Sequence, residues 1–301
     1  MTSGKPFQAE RPATLVLSGG GAKGAFQVGA ERVLREQFGF RWQRIFGVSV
    51  GALNGALLGQ EQYQNLLSVW RNIREADVYR KFAWTRVAWR LVVEGKRGLY
   101  DNRPLRDTIR KHTVNKPFTI PVHVGRVSLT SGQYETVPHT APDFLDAVWH
   151  SATLPVVWES IGKEAYVDGG LRNVTPLGDA LEFDPQEIVV MICNRDEIDP
   201  APSPRNILDV AKRSLADITI NEIMINDVRE FLRINRLVAQ ARKAGVELTH
   251  ESGRPYRECN ITVVQPSGSL GDSLDFSTAA IEARLRAGDE AARKALATVF
   301  A

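Results

Sequence analysis

Three short stretches of this chain carry residue types that can do chemistry. The first is Phe46-Gly47-Val48-Ser49-Val50-Gly51, a Gly-x-Ser-x-Gly run. It follows the apolar push Ile45-Phe46 and opens onto Ala52-Leu53-Asn54-Gly55-Ala56-Leu57-Leu58. That order predicts strand, sharp turn and helix, with the serine oxygen exposed at a sheet edge. Gly47 and Gly51 suit the arrangement, because a side chain at either would crowd the turn or the helix behind it. The helix start brings backbone N–H groups and the positive end of a dipole next to Ser49. A serine so placed becomes a nucleophile once a base stands beside it. Taken alone, the run is equally compatible with a plain small-residue turn between strand and helix.

The second stretch is Ser18-Gly19-Gly20-Gly21-Ala22-Lys23-Gly24, directly after the apolar run Ala13 to Leu17. Consecutive glycines leave their N–H groups unshielded, so a loop of this kind before a helix is an anion or oxyanion site. Gly19, Gly21 and Gly24 also satisfy Gly-x-Gly-x-x-Gly. A dinucleotide site needs an acidic residue near the end of the next strand, and Phe38 to Val48 contains none. A Walker loop needs Ser or Thr after its lysine, and Gly24 follows Lys23. The third stretch is Asp168-Gly169-Gly170, after Tyr166-Val167. Its carboxylate is a candidate base, with little bulk beside it, although Asp-Gly is also a common turn pair.

The elements that must position these groups are legible in outline. Ala13–Leu17 reads as a buried strand. A helix follows, with Ala25, Phe26, Val28, Val33 and Leu34 on its inner face. Arg44–Phe46 is the second strand, and residues 62–117 read as mainly helical. Leu99 to Leu105 reads as loop, cap and helix start. Ile120–Leu129 and Gln133–Val137 pair around Ser131-Gly132, and Asp143–Trp149 is a short helix before the bend Ser151–Pro155. Glu187–Cys193 is a buried strand, Asp196–Pro204 a proline-rich loop, and Asn206–Ala244 a long helical region with room for a break. Ile261–Val264 is the last strand, and Ser277–Phe300 a final helix with Gly288 near its middle. Strands alternating with helices indicate an α/β fold whose central sheet is mostly parallel, with helices on both faces. No internal repeat or composition break divides the 301 residues, so one domain is expected across 1–301, its motifs within about 13–180 and accessory elements in 181–301.

Composition excludes several classes. A net charge of +3 is too small to argue for nucleic acid. Cys193 and Cys259 form neither a disulfide framework nor a metal-ligand spacing, so no metal and no cofactor is expected. The first apolar run is too short for a cleaved signal peptide, and no stretch has membrane-spanning length. The expected location is the cytoplasm or the periphery of a membrane. One segment could make such contact. From Tyr79 to Val93, Phe82, Trp84 and Trp89 interleave with cations including Arg86, as in an interfacial helix. Aromatics at helical spacing are more often core.

Together the three stretches resemble the patatin-like phospholipase family. They match its Gly-Gly-Gly-x-Arg/Lys-Gly loop, its Gly-x-Ser-x-Gly nucleophile and its later Asp-Gly-Gly, in that order. Leu99–Leu105, Ser151–Pro155 and Asn173–Pro176 are similar as well. The chain departs in carrying Lys23 where arginine is commoner, and Val157-Trp158-Glu159 where Phe and Pro often stand. The resemblance implies a patatin-like variant of the α/β-hydrolase fold. It also implies a phospholipase A-type acyl hydrolase working through a Ser49–Asp168 dyad without histidine, on phospholipid or other acyl esters. Gly19, Gly20 and Gly21 would form the oxyanion hole, supported by Lys23, Gly24, Gly47, Gly51, Gly169 and Gly170. An aspartate base should keep working at lower pH than a histidine base. Two other readings stay open: a Ser-Asp-His hydrolase, for which only His250 follows Asp168, and a non-catalytic lipid- or protein-binding module. Oligomeric state is not legible.

Overall fold

The computed structural model describes residues 10–95, 98–113, 115–158, 165–198, 200–206, 209–210, 212–250 and 253–297. Nine strands are described: β1 (Arg11–Leu17), β2 (Phe40–Val48), β3 (Gly98–Tyr100), β4 (Val122–Ser128), β5 (Tyr134–Pro138), β6 (Val156–Trp158), β7 (Tyr166–Asp168), β8 (Glu187–Met191) and β9 (Asn260–Val264). Seven of them form one sheet in the order β5-β4-β2-β1-β8-β9, with β7 also on β4. The run from β4 to β9 is parallel, whereas β5 and β7 are antiparallel to β4.

Strand side chains alternate between faces, and both faces are dry. On one face Leu15, Leu17, Ile45, Val189 and Met191 pack under α1 (Ala25–Phe38), α2 (Val50–Leu58) and the C-terminal helix Thr278–Ala297. On the other face Val16, Phe46, Ile188 and Val190 meet Met224, Ile225, Val228 and Phe231 of the long helix Ile220–Lys243. That helix is preceded by a π-helical stretch, Lys212–Thr219, which is the break allowed for in the helical region. This two-sided burial explains why the central strands are continuous apolar runs.

The helical region 62–117 resolves into α3 (Tyr63–Asn72), α4 (Glu75–Val78), α5 (Trp84–Val92) and α6 (Arg103–Thr113), and is followed by α7 (Phe144–Ser151) and α8 (Leu177–Leu181). The remaining two are α9 (Ile220–Lys243) and α10 (Thr278–Ala297). The expectation of loop at Leu99-Tyr100 is corrected. These residues form β3, paired in parallel with β6 as a separate two-stranded sheet. Neither strand is readable locally, since each is three residues long and exists only through its distant partner. Gly288 also gains a reason. A Cβ there would stand 2.0 Å from the carbonyl oxygen of Phe26, and one at Gly29 would stand 2.0 Å from that of Leu285. The α1 and α10 backbones touch through this glycine pair, which locks the C-terminal helix onto the first one.

Candidate active site

Ser49 lies between the end of β2 and the start of α2, at φ 57° and ψ −125°. Few residues with a side chain adopt this conformation, and it costs about 1–3 kcal/mol. The surroundings impose it. A Cβ on Gly51 would meet the Leu17 carbonyl oxygen at 2.3 Å, and one on Gly47 would meet the Gly51 carbonyl oxygen at 2.3 Å. Helix α2 therefore packs directly against the ends of β1 and β2, and the chain must turn within one residue. The Ser49 N–H donates to the buried Ser151 hydroxyl at 2.8 Å, which ties the turn to the end of α7.

Strand β4 sets the partner. Its residues Val122 to Gly125 pair with Ile45 to Val48 of β2. The next three, Arg126 to Ser128, pair with Asp168 to Tyr166 of β7. The last residues of β2 and β7 thus sit opposite consecutive residues of β4, and the two strands arrive from opposite directions. Ser49 and Asp168 converge there. The Asp168 carboxylate is 4% exposed. It accepts from the Gly170 N–H at 2.8 Å. Burial pushes its pKa up from 3.8 to about 6, against the opposing effect of that bond and of the nearby Ser49 hydroxyl. The Asp168 N–H donates to the Thr153 carbonyl at 2.9 Å, so the Ser151–Pro155 bend supports both residues.

The glycine loop lies alongside. A methyl on Gly19 would stand 3.9 Å from the Ser49 oxygen. The Gly19 N–H is engaged by the Val174 carbonyl at 3.3 Å, whereas those of Gly20 and Gly21 have no acceptor among the described residues. Gly20 and Gly21 have positive φ angles of 153° and 57°. Lys23 donates to Asn194 at 2.6 Å and so fastens the loop to the end of β8.

Sequence reasoning passed over the polar groups that hold this loop. Gln27 donates to the Ser18 carbonyl, Asn54 to the Gly24 carbonyl and the Gln27 amide oxygen, and Trp70 to Asn54. Asn54 and Gln27 are polar residues at buried positions of apolar helices, the one signal that could have found them. From the C-terminal region, the Ser273 carbonyl accepts from the Ala22 N–H at 2.7 Å. Buried Arg284 donates to the carbonyls of Ala22, Leu270, Asp272 and Asp275. Arg284→Leu leaves these acceptors without their donor. It is expected to lower unfolding stability by at least about 2 kcal/mol in urea denaturation. An unchanged midpoint would show that the clamp is dispensable.

Ser49, Asp168, Gly20 and Gly21 open into a cavity of about 150 Å³. Its walls include Leu53, Leu57, Leu66, Val69, Ile73, Leu105, Ile109 and Leu154. Apolar side chains make up most of the lining. Trp158 also lines it, at one of the positions where the chain departs from the patatin-like pattern. Gly24, Gly169 and Gly170 lie against Val50, Gly125 and Asp168 respectively.

The aromatic segment divides. Phe82 packs beneath the Arg90 guanidinium, 4.2 Å from its ring centre, and Arg90 and Val87 are buried. Arg86 pairs with Glu94 at 2.8 Å. Trp89, Val92 and Val93 face solvent at 53%, 83% and 57% exposure, whereas the side chain of Trp84 lies outside the described residues. Among the described residues no histidine is hydrogen-bonded to Ser49 or Asp168. His112 lines the apolar cavity, His150 is half-buried with its pKa pushed down to about 4 by that burial, and His250 lies at the isolated bridge Thr249–Pro255.

The mixed, mostly parallel sheet with helices on both faces, and a serine on its strand-to-helix turn, define an α/β protein of the patatin type. The sequence profile of the patatin-like phospholipase family matches residues 15–181, more than half of the chain, and the protein belongs to that family. Membership implies hydrolysis of lipid acyl esters. Among solved structures the chain is similar to VipD from Legionella pneumophila, at 14% identity and a TM-score of 0.43, covering 97% of this chain and 68% of that one. No curated protein sequence matches. Among the described residues no helix is long and apolar enough to cross a membrane.

Proposed function

We propose that this protein is a phospholipase A-type acyl hydrolase in which Ser49 is the nucleophile and Asp168 the general base. The observation that carries the reading is the Ser49 hydroxyl beside a desolvated carboxylate, both lining one apolar cavity. Ser49 Oγ attacks the ester carbonyl carbon and its proton passes to Asp168. The carbonyl oxygen becomes an oxyanion facing the Gly20 and Gly21 amides, each such donor contributing about 2.7–4 kcal/mol. Collapse breaks the bond to the leaving alkoxide, which takes the proton from Asp168. Water then attacks the acyl-enzyme. Asp168 accepts the water proton and returns it to Ser49 as the fatty acid leaves. The N-terminus of α2 adds positive potential at the same point. The dyad supplies every proton transfer, so the scheme requires neither metal nor cofactor. A fluorophosphonate probe should label the purified protein and fail to label Ser49→Ala. A folded wild-type protein that resists the probe would favour the binding-module reading.

The same reading places the protein at a lipid surface, its substrate's location. Helix α5 supports this, because Trp89, Val92 and Val93 form an exposed apolar edge beside cationic residues. Trp89→Ala is expected to weaken binding to anionic vesicles severalfold, in a salt-sensitive manner, while turnover of a soluble ester stays within about twofold. Equal losses in both assays, with lowered stability, would show that Trp89 serves packing instead.

A further inference from the structure

The Val174–Thr175 peptide group is gripped from both sides. Its carbonyl accepts from the Gly19 N–H at 3.3 Å, and its N–H donates to the Asp227 carboxylate at 3.3 Å. A trans peptide points these two groups in opposite directions, so the glycine loop is held on one side and helix α9 on the other. A carboxylate on the N–H also polarises the peptide and makes its carbonyl a stronger acceptor for Gly19. Asp227 stands beside Val228 and within one turn of Met224, and both of these pack with Val174 in the core on that face of the sheet. The Val174 side chain meets both glycine motifs. A Cβ on Gly19 would lie 3.6 Å from one of its methyls, and a Cβ on Gly170 would lie 3.7 Å from the other. Asp179 of α8 and Tyr134 of β5 also lie near Asp227. The Asp179 carboxylate is itself taken up by Tyr134, Thr136 and Asn173, at 3.1, 3.0 and 3.0 Å. Burial, and after it Asp179, push the Asp227 pKa up to about 6, against the pull of the Thr175 and Val174 amides.

We propose that Asp227 is a positioning residue for the reaction: through the Val174–Thr175 peptide it holds Gly19, and with it the Gly20 and Gly21 amides, in place beside Ser49. The inference rests on the acyl-hydrolase reading, because the placement of those amides matters to turnover only if an oxyanion forms next to Ser49. Donors preset on an oxyanion act in the transition state rather than in substrate binding. Loosening the grip on Gly19 therefore lowers kcat and leaves KM. Fold stability is not what the carboxylate supplies. Its folded-state pKa lies above the ordinary 3.8, so holding it ionised above about pH 6 costs stability, a cost absent below 3.8. Removing the carboxylate lifts that cost and leaves the Thr175 N–H without its acceptor, two effects of opposite sign.

Asp227→Ala and Asp227→Asn, compared with the wild type in the full chain at pH 8, test this on p-nitrophenyl butyrate and with a fluorophosphonate probe. Alanine removes the acceptor and should lower kcat by about tenfold or more, with KM within about twofold. Asparagine keeps an acceptor oxygen at the same reach and should stay within about threefold of the wild type. Probe labelling separates placement from folding, since its end point counts folded sites and its rate reports the amides beside Ser49. The alanine variant should reach the wild-type end point about tenfold more slowly. A wild-type labelling rate in that variant, a lowered end point, a loss of turnover carried by KM, or asparagine as damaging as alanine would each overturn the proposal. A wild-type protein that resists the probe removes the hydrolase reading, and the inference falls with it. A wild type that is labelled no faster than its alanine variant loses only the role of Asp227.

Discussion

Ser49→Ala should lower ester turnover by at least roughly four orders of magnitude while the protein stays folded. The nucleophile and its base act as a unit, so removal of either leaves only what binding and the oxyanion donors contribute. The backbone supplies a second readout. Alanine keeps the Cβ that makes φ 57° unfavourable, so Ser49→Ala relieves none of the strain at the turn. Ser49→Gly removes that Cβ and should be the more stable of the two inactive variants, by about 1 kcal/mol in thermal or urea unfolding. If turnover survives in both variants, the serine-hydrolase reading is wrong. If both lose turnover and glycine gives no gain, the turn is not strained in solution.

Asp168→Asn should lower turnover by roughly three to four orders of magnitude and also stabilise the protein above neutrality. The sign follows from burial. The folded-state pKa, about 6, lies above the ordinary 3.8, so the folded protein holds this proton more tightly than the unfolded chain does. Keeping the group ionised therefore costs stability. The cost is complete above about pH 6 and vanishes below 3.8, and a shift of about two units corresponds to on the order of 3 kcal/mol. The variant should be more stable than the wild type at pH 8, with the difference closing as the pH falls toward 4. A variant that is inactive and also less stable at pH 8 would mean that Asp168 holds the loop rather than the proton.

The same burial bears on the pH profile. An aspartate base, even one raised by a unit or two, is expected to keep working at lower pH than a histidine base. At a pKa of about 6, its acid limb falls close to the ordinary histidine value of about 6.5, so the profile alone does not separate the two bases. Substitution does. Turnover should persist in His250→Ala, because His250 lies at the Thr249–Pro255 bridge, and should be lost in Asp168→Asn. Comparable losses would restore the triad.

The sequence by itself determined the parts that are local. The glycine loop, the strand–turn–helix around Ser49 and the paired strands at Ser131-Gly132 depend on residues within a few positions of one another, so their patterns are readable. The alternation of Leu15, Val16 and Leu17 between two cores likewise follows from strand geometry and apolar content. The C-terminal third was legible as helices and a strand, but not as the clamp that Arg284 and Ser273 place on the glycine loop. No local pattern announces a contact between residues 22 and 284. The engagement of the Gly19 N–H depended likewise on Val174, whose carbonyl reaches it only in the folded chain.

The tertiary structure alone decided that Ser49 and Asp168 meet. The reason lies in strand β4, which changes partner from β2 to β7 between Gly125 and Arg126 and so brings two distant strand ends face to face. It also decided the chemistry of the meeting. A carboxylate takes its pKa from the water it loses, and the loss at Asp168 comes from packing by β4, the Thr153 bend and the Gly170 turn together, none of which is its neighbour in sequence except the last.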